Sequence, residues 1–199
     1  KDNAIKIWDT NKEYELLDTL NGHKAPVLAL DFDTSKQLIG SAGRDSTVKV
    51  WDASMLDPAI RSKRVDDRGE TVQLKCSMDG HRGDVCALSF FNNGDNLISG
   101  ARDNTMKIWS IDLAREEREV KGNVHNADVR RIIFLNPDQN KSGNQYFASA
   151  GLDGLIKVWL LGSIDDVAGL QSVEDQALGA KQTLADIMSD QAVAILSRD

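Results

Sequence analysis

Four strings of this chain are one element written four times: DNAIKIWD (Asp2–Asp9), DSTVKVWD (Asp45–Asp52), DNTMKIWS (Asp103–Ser110) and DGLIKVWL (Asp153–Leu160). Each opens on Asp, alternates apolar residues, places a lysine two before a tryptophan, and sets that tryptophan six residues after the Asp. All four tryptophans of the chain are used in this way. A fixed internal spacing of this kind marks a repeat architecture, in which each unit buries its apolar face against its neighbours. It constrains the fold more tightly than composition does, and it points to a surface for partners rather than a pocket for chemistry.

Further residues recur in step. Ser41, Ser99 and Ser149 lie four before the last three Asp, and His23, His81 and His125 lie 18, 18 and 24 residues before those serines. These are the chain's three histidines. The segments between read as β-strands: VLALDFD, VCALSF and VRRIIF after each His, then QLIGSAG, NLISGA and QYFASAG, then the Trp strings. DTSK, NNGD and NPDQNKSGN supply the turns. More polar runs, ELLDTL, VQLKCSM and REEREV, follow the first three Trp strings and suit an outer edge, where exposed backbone needs protection from other chains.

This pattern closely resembles the WD-repeat family of β-propellers, whose blades are four-stranded antiparallel sheets. The resemblance rests on GH at Gly22–His23 and Gly80–His81, and on WD at Trp8–Asp9 and Trp51–Asp52. It covers Lys1 to about Leu161. Val124–His125 departs from GH, and Trp109–Ser110 and Trp159–Leu160 depart from WD. The resemblance implies an all-β, partial propeller of three full four-stranded blades plus part of another. It assigns three buried tetrads: His23–Ser41–Asp45–Trp51, His81–Ser99–Asp103–Trp109 and His125–Ser149–Asp153–Trp159. An indole N–H only donates, a carboxylate only accepts, and hydroxyl and imidazole do both, so the four types can form a chain with no unpaired member.

The family's partner-binding face carries the tetrad turns. Carried over residue by residue, its exposed positions are Pro26, Leu28 and Arg44; Asp84, Cys86 and Arg102; Asp128, Arg130 and Leu152. The arginines can fork onto a carboxylate or phosphate. The competing expectation is that Arg44 and Arg102 pair with Asp84 and Asp128 across blades.

Charge and motifs narrow the function. Net charge is −7, and residues 160–199 hold seven acidic against two basic residues, so the repeats themselves are near neutral. Without a basic stripe, binding to nucleic acid lacks its main driving force. No apolar run approaches the ~20 residues of a membrane span. Two cysteines, Cys76 and Cys86, fit a reducing compartment, so the expected location is intracellular, cytoplasmic or nuclear. Cys76, His81 and Cys86 match no zinc spacing, each His is first a tetrad member, and no phosphate loop or nucleophile elbow occurs, so no metal, cofactor or catalytic residue is expected.

Rings of this class take about 4–8 blades. The chain is therefore expected to be a segment of a longer propeller, with closure by a second chain, or an open arc capped by its C-terminal segment, as alternatives. Two insertions break the period: Ala53–Thr71, with a basic cluster of Arg61, Lys63 and Arg64, and Asn136–Gln145. Both read as solvent loops or, for the first, a docking site. The acidic tail 162–199 has apolar spacing for helices, with a linker or a next-blade strand left open. The functional expectation is a non-catalytic scaffold for other proteins in an intracellular complex. The alternative is a module for a short acidic or phosphorylated peptide, and last comes a propeller enzyme.

Overall fold

The computed structural model describes residues 2–11, 13–56, 72–120, 124–135 and 145–161. The expected tail, the Arg61–Arg64 cluster and most of the second insertion lie outside these residues. The described chain is all-β, with no α-helix and one short 3-10 turn at Ser54–Leu56. A hairpin of β1 (Ile5–Asp9) and β2 (Glu15–Leu20) comes first. Two four-stranded antiparallel meanders follow: β3 (Val27–Asp33), β4 (Leu38–Gly43), β5 (Thr47–Asp52) and β6 (Gln73–Asp79), then β7 (Val85–Phe91), β8 (Asn96–Ala101), β9 (Met106–Ser110) and β10 (Arg115–Glu119). The last sheet has three described strands, β11 (Val129–Phe134), β12 (Gln145–Gly151) and β13 (Ile156–Leu161).

Strand chemistry follows position in the blade. In the middle blade β7, β8 and β9 are almost wholly buried, because both faces of the sheet meet neighbouring sheets. The outer β10, REERE, alternates exposed and half-buried residues and shields the sheet edge with charge. Each first strand carries a register shift at the same repeat position, between Val27 and Ala29, Val85 and Ala87, and Val129 and Arg131. The bulged residues are Leu28, Cys86 and Arg130, and a bulge of this kind re-aims its side chain. A second shift lies beside the tryptophan in each outer strand pair, at Trp8, Trp51 and Trp109.

The core lies between sheets rather than within one. Leu88 and Phe90 of β7 pack backward onto Leu38, Ala42, Val48 and Val50, while Ile98, Met106 and Ile108 pack forward against Val129, Ile132, Phe147 and Trp159. Small residues set the spacing: a Cβ added at Gly40 would sit 3.0 Å from the Phe90 ring, and one at Gly100 would sit 2.5 Å from Val129. Between the hairpin and the β3–β6 blade the cluster is smaller, built on Ile5, Leu20, Trp51, Ala53 and Val72. Leu30 and Phe32 of β3 hold the repeat positions of Leu88 and Phe90, yet they are 53 % and 48 % exposed against 6 % and 7 %.

The two phenylalanines give an internal control. Phe90→Ala is expected to cost about 3–5 kcal/mol, because burial is lost and a cavity remains. Phe32→Ala at the matching exposed position is expected to cost less than about 1 kcal/mol. Urea denaturation of both variants measures the difference, and equal losses would contradict this account of the core.

Candidate functional site: buried tetrads and an arginine–aspartate ridge

In each of the three sheets a histidine ahead of the first strand reaches across to the second and third. In the middle blade His81 Nε2 lies 2.7 Å from Ser99 Oγ, His81 Nδ1 lies 3.0 Å from Asp103 Oδ2, and Trp109 Nε1 donates to Ser99 Oγ at 2.7 Å. The β3–β6 blade repeats this with His23, Ser41, Asp45 and Trp51 at 2.8, 2.9 and 2.9 Å. The β11–β13 blade repeats it with His125, Ser149, Asp153 and Trp159 at 2.8, 2.9 and 2.9 Å. Donor inventory sets the direction. The indole can only donate, so the serine oxygen accepts from it and turns its own proton to His Nε2; Nδ1–H then donates to the carboxylate, which can only accept. The serines are fully buried or nearly so.

The aspartates are held further by the backbone. Lys24, Arg82 and Asn126 donate their amides to Asp45, Asp103 and Asp153 at 2.8, 2.8 and 3.0 Å. Thr47 and Thr105 add hydroxyl donors to Asp45 and Asp103 at 2.8 and 2.7 Å. Leu155 stands at the matching place in the third blade and gives only its backbone amide, at 3.1 Å. The threonines escaped the sequence reading, although the third letter of DSTVKVWD and DNTMKIWS carried the signal. The residue after each Asp is left-handed, with φ of 62° at Ser46, 64° at Asn104 and 80° at Gly154. This shapes the turn around the carboxylate.

Burial opposes charge on these carboxyls, but their donors outweigh it and hold Asp45, Asp103 and Asp153 below the usual carboxylate range, Asp153 at about 2. For His23 burial dominates and lowers its pKa, against the pull of Asp45. The lysines two before each tryptophan are also buried in these blades. Lys49 Nζ donates to Ser77 at 2.6 Å, and Lys107 Nζ reaches Glu116 and Glu119, both at 2.9 Å. Burial alone would lower the Lys107 pKa, and the two carboxylates reverse the sign.

The face carrying the tetrad turns bears a ridge of alternating charge. Arg44 Nε lies 3.4 Å from Asp84, Arg102 bridges Asp84 at 2.9 Å and Asp128 at 3.2 Å, and Arg130 closes on Asp128 at 3.0 Å. Backbone bonds fix this alignment. The amides of Arg44, Arg102 and Leu152 donate to the carbonyls of Pro26, Asp84 and Asp128, each at 2.9 Å. Leu28 and Leu152 are exposed, at 40 % and 62 %. Cys86 is a correction to the expected exposed set. It is buried, because Arg130 of the next blade lies over it with Nη1 4.0 Å from Sγ. Burial raises the thiol pKa of both Cys86 and Cys76, which disfavours the reactive thiolate.

Two expectations follow. Asp103→Ala or His81→Ala should cost roughly 2–4 kcal/mol in chemical denaturation, through the buried partners left unpaired. A loss below about 0.5 kcal/mol would show that the network does not stabilise the blade. Acid should act in two stages. The unfolded chain binds the His23 proton near the ordinary 6.5, above the folded value, so stability falls as pH drops below that point. The unfolded aspartates protonate near 3.8, again above their folded values, so a second loss follows below about pH 4. Urea midpoints measured from pH 8 to pH 3 check this, and a midpoint that rises between about 6.5 and 5 would contradict it.

The repeat geometry has counterparts elsewhere. The profile of the family described as WD domain, G-beta repeat matches residues 14–52, 72–110 and 121–159. Mitochondrial division protein 1 of Kluyveromyces lactis is 26 % identical over 175 residues, covering 81 % of this chain and 24 % of that protein. A CCR4-associated factor 4 homolog of Candida glabrata is 33 % identical over 139 residues, 64 % of this chain and 22 % of that protein. Pre-mRNA-processing factor 17 of Saccharomyces cerevisiae is 28 % identical over 186 residues, 78 % of this chain and 39 % of that protein. The chain thus spans between about a fifth and two fifths of the length of these relatives. With matched repeats over more than half of its residues, and with the His, Ser, Asp and Trp of each repeat joined as described, the chain belongs to the WD-repeat family.

Proposed function

We propose that these repeats form a non-catalytic scaffold that holds other proteins together in an intracellular assembly. The observation supporting this most directly is how the reactive side-chain types are spent. Every His has both ring nitrogens bonded, and Ser41, Ser99 and Ser149 have no access to solvent that would admit a substrate. What remains accessible is the Arg44–Asp84–Arg102–Asp128–Arg130 ridge on rigid turns, with Pro26, Leu28 and Leu152 beside it. Relatives named for mitochondrial division and for pre-mRNA processing share the repeat, so the repeat itself selects no single process, and cytoplasmic and nuclear settings both fit.

A second reading is favoured by one observation. The side chains of Arg44, Arg102 and Arg130 remain 49 %, 39 % and 40 % exposed although each touches an aspartate. A ligand carboxylate or phosphate can use the guanidinium donors left over, so a short acidic or phosphorylated peptide suits this face. Because Asp84 and Asp128 sit between the arginines, a purely basic ligand does not.

The test compares the tagged chain with a variant carrying Arg44→Glu, Arg102→Glu and Arg130→Glu. Exposed ion pairs contribute only about 0–1 kcal/mol each, so the fold should survive. At least one stoichiometric protein partner is expected to fall by about tenfold in the variant, equivalent to about 1.4 kcal/mol of binding. Loss of the same partner after phosphatase treatment would select the peptide reading. An unchanged partner set in a folded variant would remove the ridge as a docking face.

A further inference from the structure

We infer that Ser77 is a phosphorylation site whose phosphate is received by the buried ammonium of Lys49. Two blades of the same chain, compared position by position, lead to it.

In both blades the lysine two before the tryptophan turns its ammonium to the outer strand. In the β9–β10 pair Lys107 stands opposite Glu119 and Trp109 opposite Glu116. Both carboxylates reach Lys107 Nζ, each at 2.9 Å. The β5–β6 pair keeps this register, with Lys49 opposite Ser77 and Trp51 opposite Leu74. Serine and leucine thus stand where the two glutamates would be. Lys49 is as buried as Lys107, at 8 % and 7 % exposed. Among the described residues its ammonium has one side-chain partner, the Ser77 hydroxyl at 2.6 Å. An ammonium has three donors to satisfy, and a buried one without a counter-ion is costly.

Ser77 is placed to carry the missing anion. It is exposed, and it lies on β6, the outermost strand of its sheet. The lysine only donates, so the hydroxyl oxygen accepts from it and keeps its own proton, the one that phosphoryl transfer removes. In that transfer the Ser77 oxygen attacks the γ-phosphorus of a nucleoside triphosphate held by a protein kinase. The new P–O bond forms as the bond to the bridging oxygen breaks. The nucleoside diphosphate leaves with that electron pair, and the hydroxyl proton passes to the kinase's base. Phosphoserine then holds its terminal oxygens the same number of bonds from Cβ as glutamate does, so it reaches Nζ from the register position of Glu119. It brings a charge of about −1.5 to −2, comparable with that of the two absent carboxylates.

The surroundings suit an anion. In the middle blade Lys107 and Glu119 line a depression together with Gly80, Arg82 and Asp103. The repeat counterparts of these last three are Gly22, Lys24 and Asp45, so Lys24 offers a second cation on the rim. Asp45 already accepts from His23, Thr47 and the Lys24 amide. Asp79, the next acid along β6, is exposed, where solvent screens it. Phosphorylation therefore ties the outer strand to β5 through charge-assisted bonds, the arrangement that the middle blade has permanently.

Cleavage by trypsin after Lys75 and Arg82 releases CSMDGHR, in which Ser77 is the one hydroxyl side chain. The folded 199-residue chain is incubated with ATP and a yeast extract containing phosphatase inhibitors, and this peptide is weighed by mass spectrometry. It should carry phosphate. Reception by Lys49 is read separately, by phosphorus NMR on the chain bearing phosphoserine at position 77. The second ionisation of that phosphate should fall about half a unit or more below its value in the free peptide 76–82, because a nearby cation favours the dianion. Lys49→Gln should return it to the peptide value. The comparison of chain with peptide keeps Lys49 in place, so it decides the matter even if Lys49→Gln does not fold. If the 76–82 peptide stays unmodified, or if the phosphate titrates in the folded chain as it does in the free peptide, the inference is overturned.

Discussion

The bond on which the rest of this structure depends is the one from the tryptophan indole to the buried serine hydroxyl. Of the four tetrad side chains, only serine is small enough to sit within the packed middle strands while both accepting from an indole and donating to an imidazole. Its position ties the second strand to the third through Trp, and to the segment ahead of the first through His. The same oxygen thus joins parts of the chain 10 and 18 residues away in the middle blade. Because every member is satisfied, no buried side-chain nitrogen or oxygen is left without a partner among the described residues. A network of this kind gains specificity from the cost of breaking it, since removing one member strands the others in a low-dielectric interior.

That internal use of polar groups explains the character of the surface. The histidines, the tetrad serines and the tetrad aspartates hold strands together, so the charge exposed on this face comes from the positions beside them. The ridge joins adjacent blades through arginine on one turn and aspartate on the next, and it carries a net charge of about +1 spread over five side chains. Exposed pairs like these contribute little stability individually. Their consequence is positional: Arg44 and Arg130 are each held by one carboxylate and Arg102 by two, which fixes the order of the three guanidiniums along this face.

Much of this was legible in the sequence, for reasons that differ between elements. The strands were readable because apolar alternation and turn residues are local properties, and the three histidines could be matched to three serines because the chain contains no other histidine and each of those serines lies four residues before a repeat Asp. The threonines that hold Asp45 and Asp103 were visible but carried no separate periodic signal, since Leu155 occupies the third place. Cys86 was misplaced because a bulge at the residue and an arginine from the next blade decide its exposure, and neither is encoded in the residue's own segment. The exposure of Leu30 and Phe32 was illegible for the same reason. Their sequence matches that of Leu88 and Phe90, and only the width of the sheet they face separates the two pairs.

Trp8 shows how far burial in such a repeat is a property of the neighbour. Its string is as apolar as the other three, its turn has the same left-handed residue, and its outer strand pairs with the same register shift. Among the described residues no strand bearing a hydroxyl pairs with the inner edge of β1, and no histidine reaches Asp2. An indole offered no acceptor gains little from burial, since its N–H must then be desolvated without return. Trp8 is half-exposed, which leaves its N–H open to water. The repeat is cooperative at the level of single hydrogen bonds, and the two inner strands of a blade are what convert its tryptophan from a surface residue into core.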